Sequence, residues 1–321
     1  MPEKAASDTD RELPRILRYL SSELGLAMSA GLNDHLIRLS HPDGRSILVF
    51  GYDFGLNPSS SAEIARDKGA TAYLLRKAGV PCVDHRIIFR ADWEKFTDQE
   101  GVYLTARKTF QEFREDVVCK NNRGTGGNNV FRACTFAEME LALSRIFNVH
   151  YACAVSPFLP IEREIRVIVV DGDITAIFSK QRPEVVGDGV STLVALMAIQ
   201  TPEALTQGKP LTPSAAELLS VPAAGERRVV NWRHNLGQGA KPDFDISSDI
   251  CDTSSALAVQ AVTALNLRAA SVDVVWAAGP PTVLEVNSGI MTENLARSGP
   301  LGLSLAVNTY RALIHAGLNS L

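Results

Sequence analysis

The chain has 321 residues, 45% of them hydrophobic and 21% charged, which is enough apolar material for a large core shared among two or three subdomains. Its formal net charge of -4 excludes the broad basic field that holds a nucleic-acid backbone, so nucleic acid is not an expected partner. Cys82, Cys119, Cys134, Cys153 and Cys251 are scattered without a Cys-x-x-Cys spacing, which argues for reduced thiols over a disulfide frame or zinc site.

The first ten residues carry acids and no apolar run, which fits neither a signal nor a transit peptide. No later stretch is long and apolar enough for a bilayer span, so a cytoplasmic protein with no membrane partner is expected. Residues 1–62 combine a helical pattern at Arg11 to Leu26 with strand-like runs at His35 to Leu39 and Ile47 to Phe50, and read as a short leading domain. A helix is predicted next: Ser60 and Glu63 form a Ser-x-x-Glu capping box, apolar residues recur at Ile64, Leu74, Leu75 and Ala78, and Gly79 with Pro81 ends it. Lys68 falls within that helix.

Short strands follow at Arg86 to Phe89, Asp116 to Lys120 and Val130 to Arg132, then a helix at Thr135 to Phe147. After Pro157 the text turns to hairpins, with Ile165 to Val170 and Ile174 to Phe178 joined by Asp171-Gly172-Asp173. Residues 200–225, rich in Pro, Ala, Ser and Thr, read as a helical insertion with no assignable chemistry. The class is α+β, and no repeat of fixed period is present.

Three constellations could support chemistry. Val272 to Trp276 and Thr282 to Asn287 read as adjacent antiparallel strands across a turn at Gly279-Pro280-Pro281; the two-residue period puts Glu285 and Asn287 on one face, and Asp273 can join them from across the ladder. Two carboxylates and an amide oxygen are hard ligands suited to Mg²⁺ bridging phosphates, although the wet face of an amphipathic hairpin gives the same pattern. Second, Lys120 precedes the loop Gly124-Thr125-Gly126-Gly127, whose backbone N–H groups can wrap phosphate oxygens; a plain hairpin turn is the simpler alternative. Third, Arg233 and Asn235 are two apart before a glycine-containing turn and could offer donors to a phosphoryl group or oxyanion, or be surface residues beside a turn.

In order, these residues resemble the ATP-grasp ligases, notably the ATP-grasp domains of cyanophycin synthetases and bifunctional glutathione synthetases, over about residues 60–300. The segment Ile64 to Pro81 resembles the helix opening that fold. The resemblance implies two α+β lobes gripping a nucleotide: a small lobe at 63–154 and a large, metal-binding lobe at 155–321, after the leading domain 1–62. It implies that Lys68 and Lys120 bind nucleotide, that Gly124, Thr125, Gly126 and Gly127 cover the phosphates, and that Val155 to Leu159, with Val155, Pro157, Phe158 and Leu159, form the hinge whose backbone reads adenine. Glu164 would then bind the ribose, and Lys180 begins a Lys180-Gln181-Arg182-Pro183 segment similar to one in those synthetases. Arg233 and Asn235 would lie near the transferred phosphate, and Asp273, Glu285 and Asn287 would hold magnesium, with manganese as the alternative ion.

The implied activity is ATP-dependent joining of a carboxylate to an amine, an amino acid or peptide, through an acyl phosphate, with ADP and phosphate released. Small-molecule substrates are the implied partners, and a homo-oligomer is compatible with the family. The alternatives are a non-catalytic ATP-binding module and an acyl-CoA-type synthetase using a phosphohistidine, for which His234 is the nearest histidine. Two departures stand out: Ser271 occupies the place of an arginine that D-alanine ligases put two residues before the first magnesium aspartate, and Ser288-Gly289-Ile290 replaces the usual Ser-Pro-Gly.

Overall fold

The computed structural model describes residues 11–124, 127, 129–205 and 213–320. The leading segment forms α1 (Glu12–Glu23) and a meander of β1 (Ala27–Gly31), β2 (Leu36–Ser40) and β3 (Ser46–Phe50), paired antiparallel in that order. The apolar stripe Leu13, Ile16, Leu17 and Leu20 is buried along one face of α1, each side chain contributing about 1.5–3 kcal/mol over exposure. Strand β1, made of Ala, Met, Ser and Gly with no buried side chain, has no alternation that the sequence could announce.

The helix expected from Ser60 to Ala78 is two helices, α2 (Ser59–Arg66) and α3 (Lys68–Lys77). The Ser60–Glu63 capping box does not form: Pro58 is the N-cap, and Glu63 pairs with Arg66 and Arg123 instead. The break is at Asp67, whose extended backbone interrupts the first helix while its carboxylate accepts from the Ala70 N–H at 2.9 Å and starts the second.

A four-stranded antiparallel sheet follows, built from β4 (Arg86–Phe89), β5 (Val117–Asn121), β6 (Val130–Ala133) and β7 (Ala152–Pro157) in the order β4-β7-β5-β6. Helices α4 (Val102–Glu112) and α5 (Phe136–Phe147) cover it; Thr135 and Glu138 make a complete capping box at the start of α5.

The larger sheet contains β8 (Arg163–Val170) and β9 (Asp173–Gln181). A small two-stranded excursion of β10 (Glu184–Val186) and β11 (Arg227–Val229) encloses α6 (Leu193–Gln200) and α7 (Ala215–Leu219); α7 lies in the 200–225 region read as a helical insertion, whereas α6 leads into it. Then come β12 (Lys241–Asp243), α8 (Ser248–Ala264), β13 (Ala269–Trp276), β14 (Thr282–Asn287), α9 (Glu293–Ala296) and α10 (Pro300–Leu318), giving the antiparallel order β12-β9-β8-β13-β14. The class is α+β, as the sequence implied.

One face of this sheet, with Ile165, Val167, Val169, Val272 and Val274, packs on α8 together with Ala65 of α2 and Leu75 of α3. The expected boundary at residue 63 therefore does not follow the packing, because α2 and α3 share the core of the large sheet while β7 extends the small lobe to Pro157. The other face is divided. Toward the Val170 end, Ile168, Val170, Ala176 and Phe178 share a core with α1, the meander and α10; toward the Arg163 end, the same face bears polar residues. Among the described residues no helix is long and apolar enough to cross a membrane, and all five cysteines are free.

The leading segment is locked down by the buried carboxylate of Glu293, which accepts from the Glu12 N–H at 2.6 Å, the Leu13 N–H at 3.3 Å and the Tyr52 hydroxyl at 3.1 Å. Glu293→Ala is expected to weaken docking of α1 by about 2–3 kcal/mol. Hydrogen exchange should quicken in α1 while β5 and β7 keep their protection; equal quickening everywhere would mean that the carboxylate stabilises the whole fold rather than this contact.

Candidate active site

A cleft of about 860 Å³ lies between the two sheets, lined from the small lobe by Lys120, Gly124, Gly127 and the Pro157-Phe158-Leu159 run, and from the large sheet by Glu164, Arg166, Lys180, Asp273, Glu285 and Asn287. Strand register explains the second set. Asp273 pairs with Glu285 on one side and Arg166 on the other, and Ser271 pairs with Asn287. Residues two apart share a face, so Glu164 and Arg166 on β8 meet Asp273 on β13 and Lys180 on β9.

The charges are tightly matched. Arg166 donates twice to Asp273, from Nε to Oδ1 and from Nη2 to Oδ2, both at 2.8 Å. Lys180 Nζ lies 3.0 Å from Asp273 Oδ2 and also pairs with Glu164. Burial alone would raise the Asp273 pKa, but the two cations outweigh it and hold the carboxyl well below the ordinary range. Burial likewise works against the charge of Glu285, and the ammonium groups of Lys68 and Lys120 more than offset it.

Lys68, the first residue of α3, sends its ammonium to Glu285 Oε1 at 3.1 Å and to the Gly124 carbonyl at 2.9 Å. Asn122 steadies this junction: its amide donates to Asp67 at 2.7 Å, its carbonyl oxygen accepts from the Gly69 N–H, and its backbone carbonyl accepts from the Lys68 N–H. Glycine fits closely at position 69, where a Cβ would lie 2.5 Å from the Ile87 side chain and force it to shift. Lys120 is buried on β5, and desolvation lowers its pKa to about 8, with Glu285 opposing the shift and Lys68 adding to it.

The segment 231–238 crosses from the large lobe to the glycine loop. Arg233, buried, donates from Nη2 to the Val130 carbonyl at 2.6 Å, and burial brings its pKa down to about 10, which leaves it charged at neutral pH. The Asn235 side-chain oxygen caps the turn at Gly237, so this oxygen is already engaged. Gly127, at φ +72°, approaches so closely that an added Cβ would lie 2.6 Å from Asn235 Nδ2 and 2.7 Å from Gln238 Nε2. His234 lines the cleft with Nδ1 at 2.6 Å from the Lys180 carbonyl; burial depresses its pKa, and Nε2 has no partner among the described residues.

Of the residues singled out from the sequence, Lys68, Lys120, Gly124, Gly127, Pro157, Phe158, Leu159, Glu164, Lys180, Arg233, Asn235, Asp273, Glu285 and Asn287 all line this one cleft. Val155 does not: it is fully buried in β7, flanked by β4 and β5, with its side chain in the small-lobe core. Thr125 and Gly126 lie outside the described residues. Sequence reasoning gave no role to Arg166, Asn122 or Gln238. The same two-residue period that linked Glu285 to Asn287 would have linked Arg166 to Glu164, whereas Asn122 and Gln238 act through contacts distant in the chain.

No protein-family model matches this sequence, and no curated protein matches it. Among solved structures, the chain superposes on the D-alanine–D-alanine ligase from Bacillus anthracis with TM-score 0.53 and 15% identity, covering 82% of this chain and 71% of that one. The same ligase complexed with ATP gives 0.51 and 17%, covering 82% and 69%. A bifunctional glutathione synthetase from Pasteurella multocida gives 0.55 and 18%, covering 95% of this chain but only 45% of that one. The chain therefore has the ATP-grasp fold of these carboxylate–amine ligases. At such identities the likeness is one of fold, and it spans less than half of the glutathione synthetase.

Lys120 supplies a test of the cleft's electrostatics. Because its folded pKa lies below that of an unfolded lysine, protonated Lys120 opposes folding, and this opposition fades as pH rises from about 8 toward the ordinary lysine value of 10.5. Acylation of the Lys120 amine, followed by mass spectrometry across pH 6–11, is expected to reach its half-maximal rate near pH 8. A midpoint at the ordinary lysine value would mean that the amine is solvated.

Proposed function

We propose that the protein is an ATP-dependent ligase that activates a carboxylate as its acyl phosphate and joins it to an amine, releasing ADP and phosphate. The observation that supports this best is the convergence of Lys68, Lys120, Lys180 and Arg166 with Asp273, Glu285 and Asn287 in one cleft between two lobes of this fold. Amino acids or short peptides are the proposed substrates, in keeping with the names of the structural neighbours.

A substrate carboxylate oxygen attacks the γ-phosphorus and the bond to the ADP oxygen breaks. The amine then attacks the acyl carbon, expels phosphate and loses a proton. Lys68 and Lys120 neutralise charge on the phosphates, and Arg233, still charged at neutral pH, stands beside the glycine loop to receive the transferred group. Arg166, on the strand beside Asp273, adds a guanidinium to the cleft, while Ser271 stands at the place of the arginine of the D-alanine ligase sequence pattern. Pro157 to Leu159 and the facing Trp232, edge-on to Phe158 with centroids 5.7 Å apart, would enclose the base.

Among the described residues no group of three or more His, Cys, Asp or Glu side chains is arranged as a self-sufficient metal site. The donor set here is of another kind, two ionised carboxylates and an amide, which suits a hard cation that completes its coordination with phosphate oxygens. Asp273, Glu285 and Asn287 would hold magnesium, or manganese, which when bound neutralises phosphate charge and draws electron density from the γ-phosphorus.

A second reading, acyl transfer through a phosphohistidine, draws on the unpartnered Nε2 of His234 in the same cleft. His234→Gln removes the nucleophile but keeps an acceptor, and turnover within about tenfold of wild type is expected on the ligase reading. The principal test is a screen of amino acids and small acids for magnesium-dependent ADP release with hydroxylamine present, which should trap the acyl phosphate as a hydroxamate. Glu285→Ala should abolish release, by more than about a hundredfold, while the cooperative melt persists. Near-normal turnover of Glu285→Ala would remove the metal assignment, and the absence of any substrate-dependent ADP release would remove the ligase reading.

A further inference from the structure

We infer that Lys68 holds the place of the divalent cation at Glu285 until a nucleotide arrives, so that cation and triphosphate occupy this cleft only together. The inference rests on the ligase reading of the cleft and adds to it a rule of entry.

The argument is one of charge and of available lone pairs. Four cationic side chains, Lys68, Lys120, Lys180 and Arg166, face three carboxylates, Glu164, Asp273 and Glu285, and each carboxylate already has a cationic partner. Both oxygens of Asp273 are engaged by Arg166, and one of them also by Lys180. Glu285, the most open of the three with 27% of its side chain exposed, is held by Lys68, whose own side chain is only 7% exposed. A bare divalent cation would have to displace that ammonium from its only anionic partner among the described residues, within a cluster whose charge is already net positive. Desolvation makes the displaced ammonium costly to leave unpaired.

A triphosphate changes both terms. Its oxygens are alternative acceptors for the Lys68 ammonium, whose three N–H donors now face the Gly124 carbonyl at 2.9 Å, Glu285 at 3.1 Å and, more loosely, the Asn122 carbonyl at 3.5 Å. Once Lys68 turns to phosphate, Glu285 is free for the cation, and the added negative charge reverses the sign of the cluster. By linkage, the factor by which nucleotide tightens cation binding equals the factor by which cation tightens nucleotide binding. Lys68 thus acts in opposite directions on the two ligands, supporting the triphosphate and opposing the bare ion.

That opposition yields a test with a change of sign. Binding of Mn²⁺ is followed by electron paramagnetic resonance on the full chain, with and without a non-hydrolysable ATP analogue. Wild type is expected to bind Mn²⁺ at least about tenfold more tightly with the analogue than without it. In Lys68→Met, which keeps the apolar stem but removes the ammonium, affinity for Mn²⁺ without nucleotide should rise by about tenfold or more while affinity for the analogue falls. Lys68→Arg should keep the wild-type exclusion of the bare ion. If Lys68→Met does not melt cooperatively, Lys68→Gln provides the same comparison. Bare Mn²⁺ binding wild type as tightly as in the presence of the analogue, or no gain on neutralising Lys68, overturns the inference and leaves the ligase reading intact. No Mn²⁺ binding to wild type even with the analogue overturns both.

Discussion

The carboxylate of Asp273, gripped from one side by the Arg166 guanidinium and from another by the Lys180 ammonium, is the interaction around which this cleft is organised. It joins side chains from β13, β8 and β9, three neighbouring strands whose register brings those residues abreast. A buried ion pair of this kind contributes little net stability, because desolvation opposes the Coulomb attraction, yet removing one partner is expensive. Its effect is to fix positions: each charge is held where its neighbours require it, and the metal and nucleotide groups proposed here would meet a prearranged surface. Preorganisation of this sort is what electrostatic catalysis needs.

The large sheet accommodates such a site because its inner face is divided along the strands. Ile168, Val170, Ala176 and Phe178 at one end are sealed by α1, the meander and α10, whereas Glu164, Arg166 and Lys180 at the other face the opening beneath the small lobe. The apolar half supplies a rigid foundation, and its strands continue without interruption into the polar half. Two connections then bring the lobes together over the site. Lys68, at the start of α3, reaches both Glu285 and the Gly124 carbonyl, and the 231–238 segment reaches Val130 and Gly127 through Arg233 and Gln238. The close packing of Gly127 against Asn235 and Gln238 shows how little room this contact leaves.

Much of this was legible where local chemistry dominates. The hairpin of β13 and β14 and the strand carrying Lys120 announce themselves through short apolar runs bounded by turn signals, and these strands and the helix expected from Thr135 to Phe147 each form close to where they were expected. Legibility failed where a residue's partner is distant in the chain. The helix break at Asp67 was hidden because an aspartate can cap a new helix as readily as it can ride on an old one, and the contact with Asn122 that accompanies its cap of Ala70 joins residues distant in the chain. Strand β7 is buried at nearly every position, which erases the alternation that would identify it, and the Val155 side chain lies in the small-lobe core rather than in the cleft. Helix α4 buries only Ala106, Thr109 and Phe110, too narrow a stripe to stand out.

By itself, then, the sequence determined the α+β class and singled out most of the polar residues that line the cleft, because strand period and turn chemistry are local properties of the chain. Tertiary structure decided which of those residues meet. The pairing of Lys68 with Glu285 and of Arg166 with Asp273 joins positions more than a hundred residues apart, and no local periodicity encodes such a distance. The register of β8 against β13 and the placement of α3 beside β14 set those encounters, and register follows from which face of each strand must be buried.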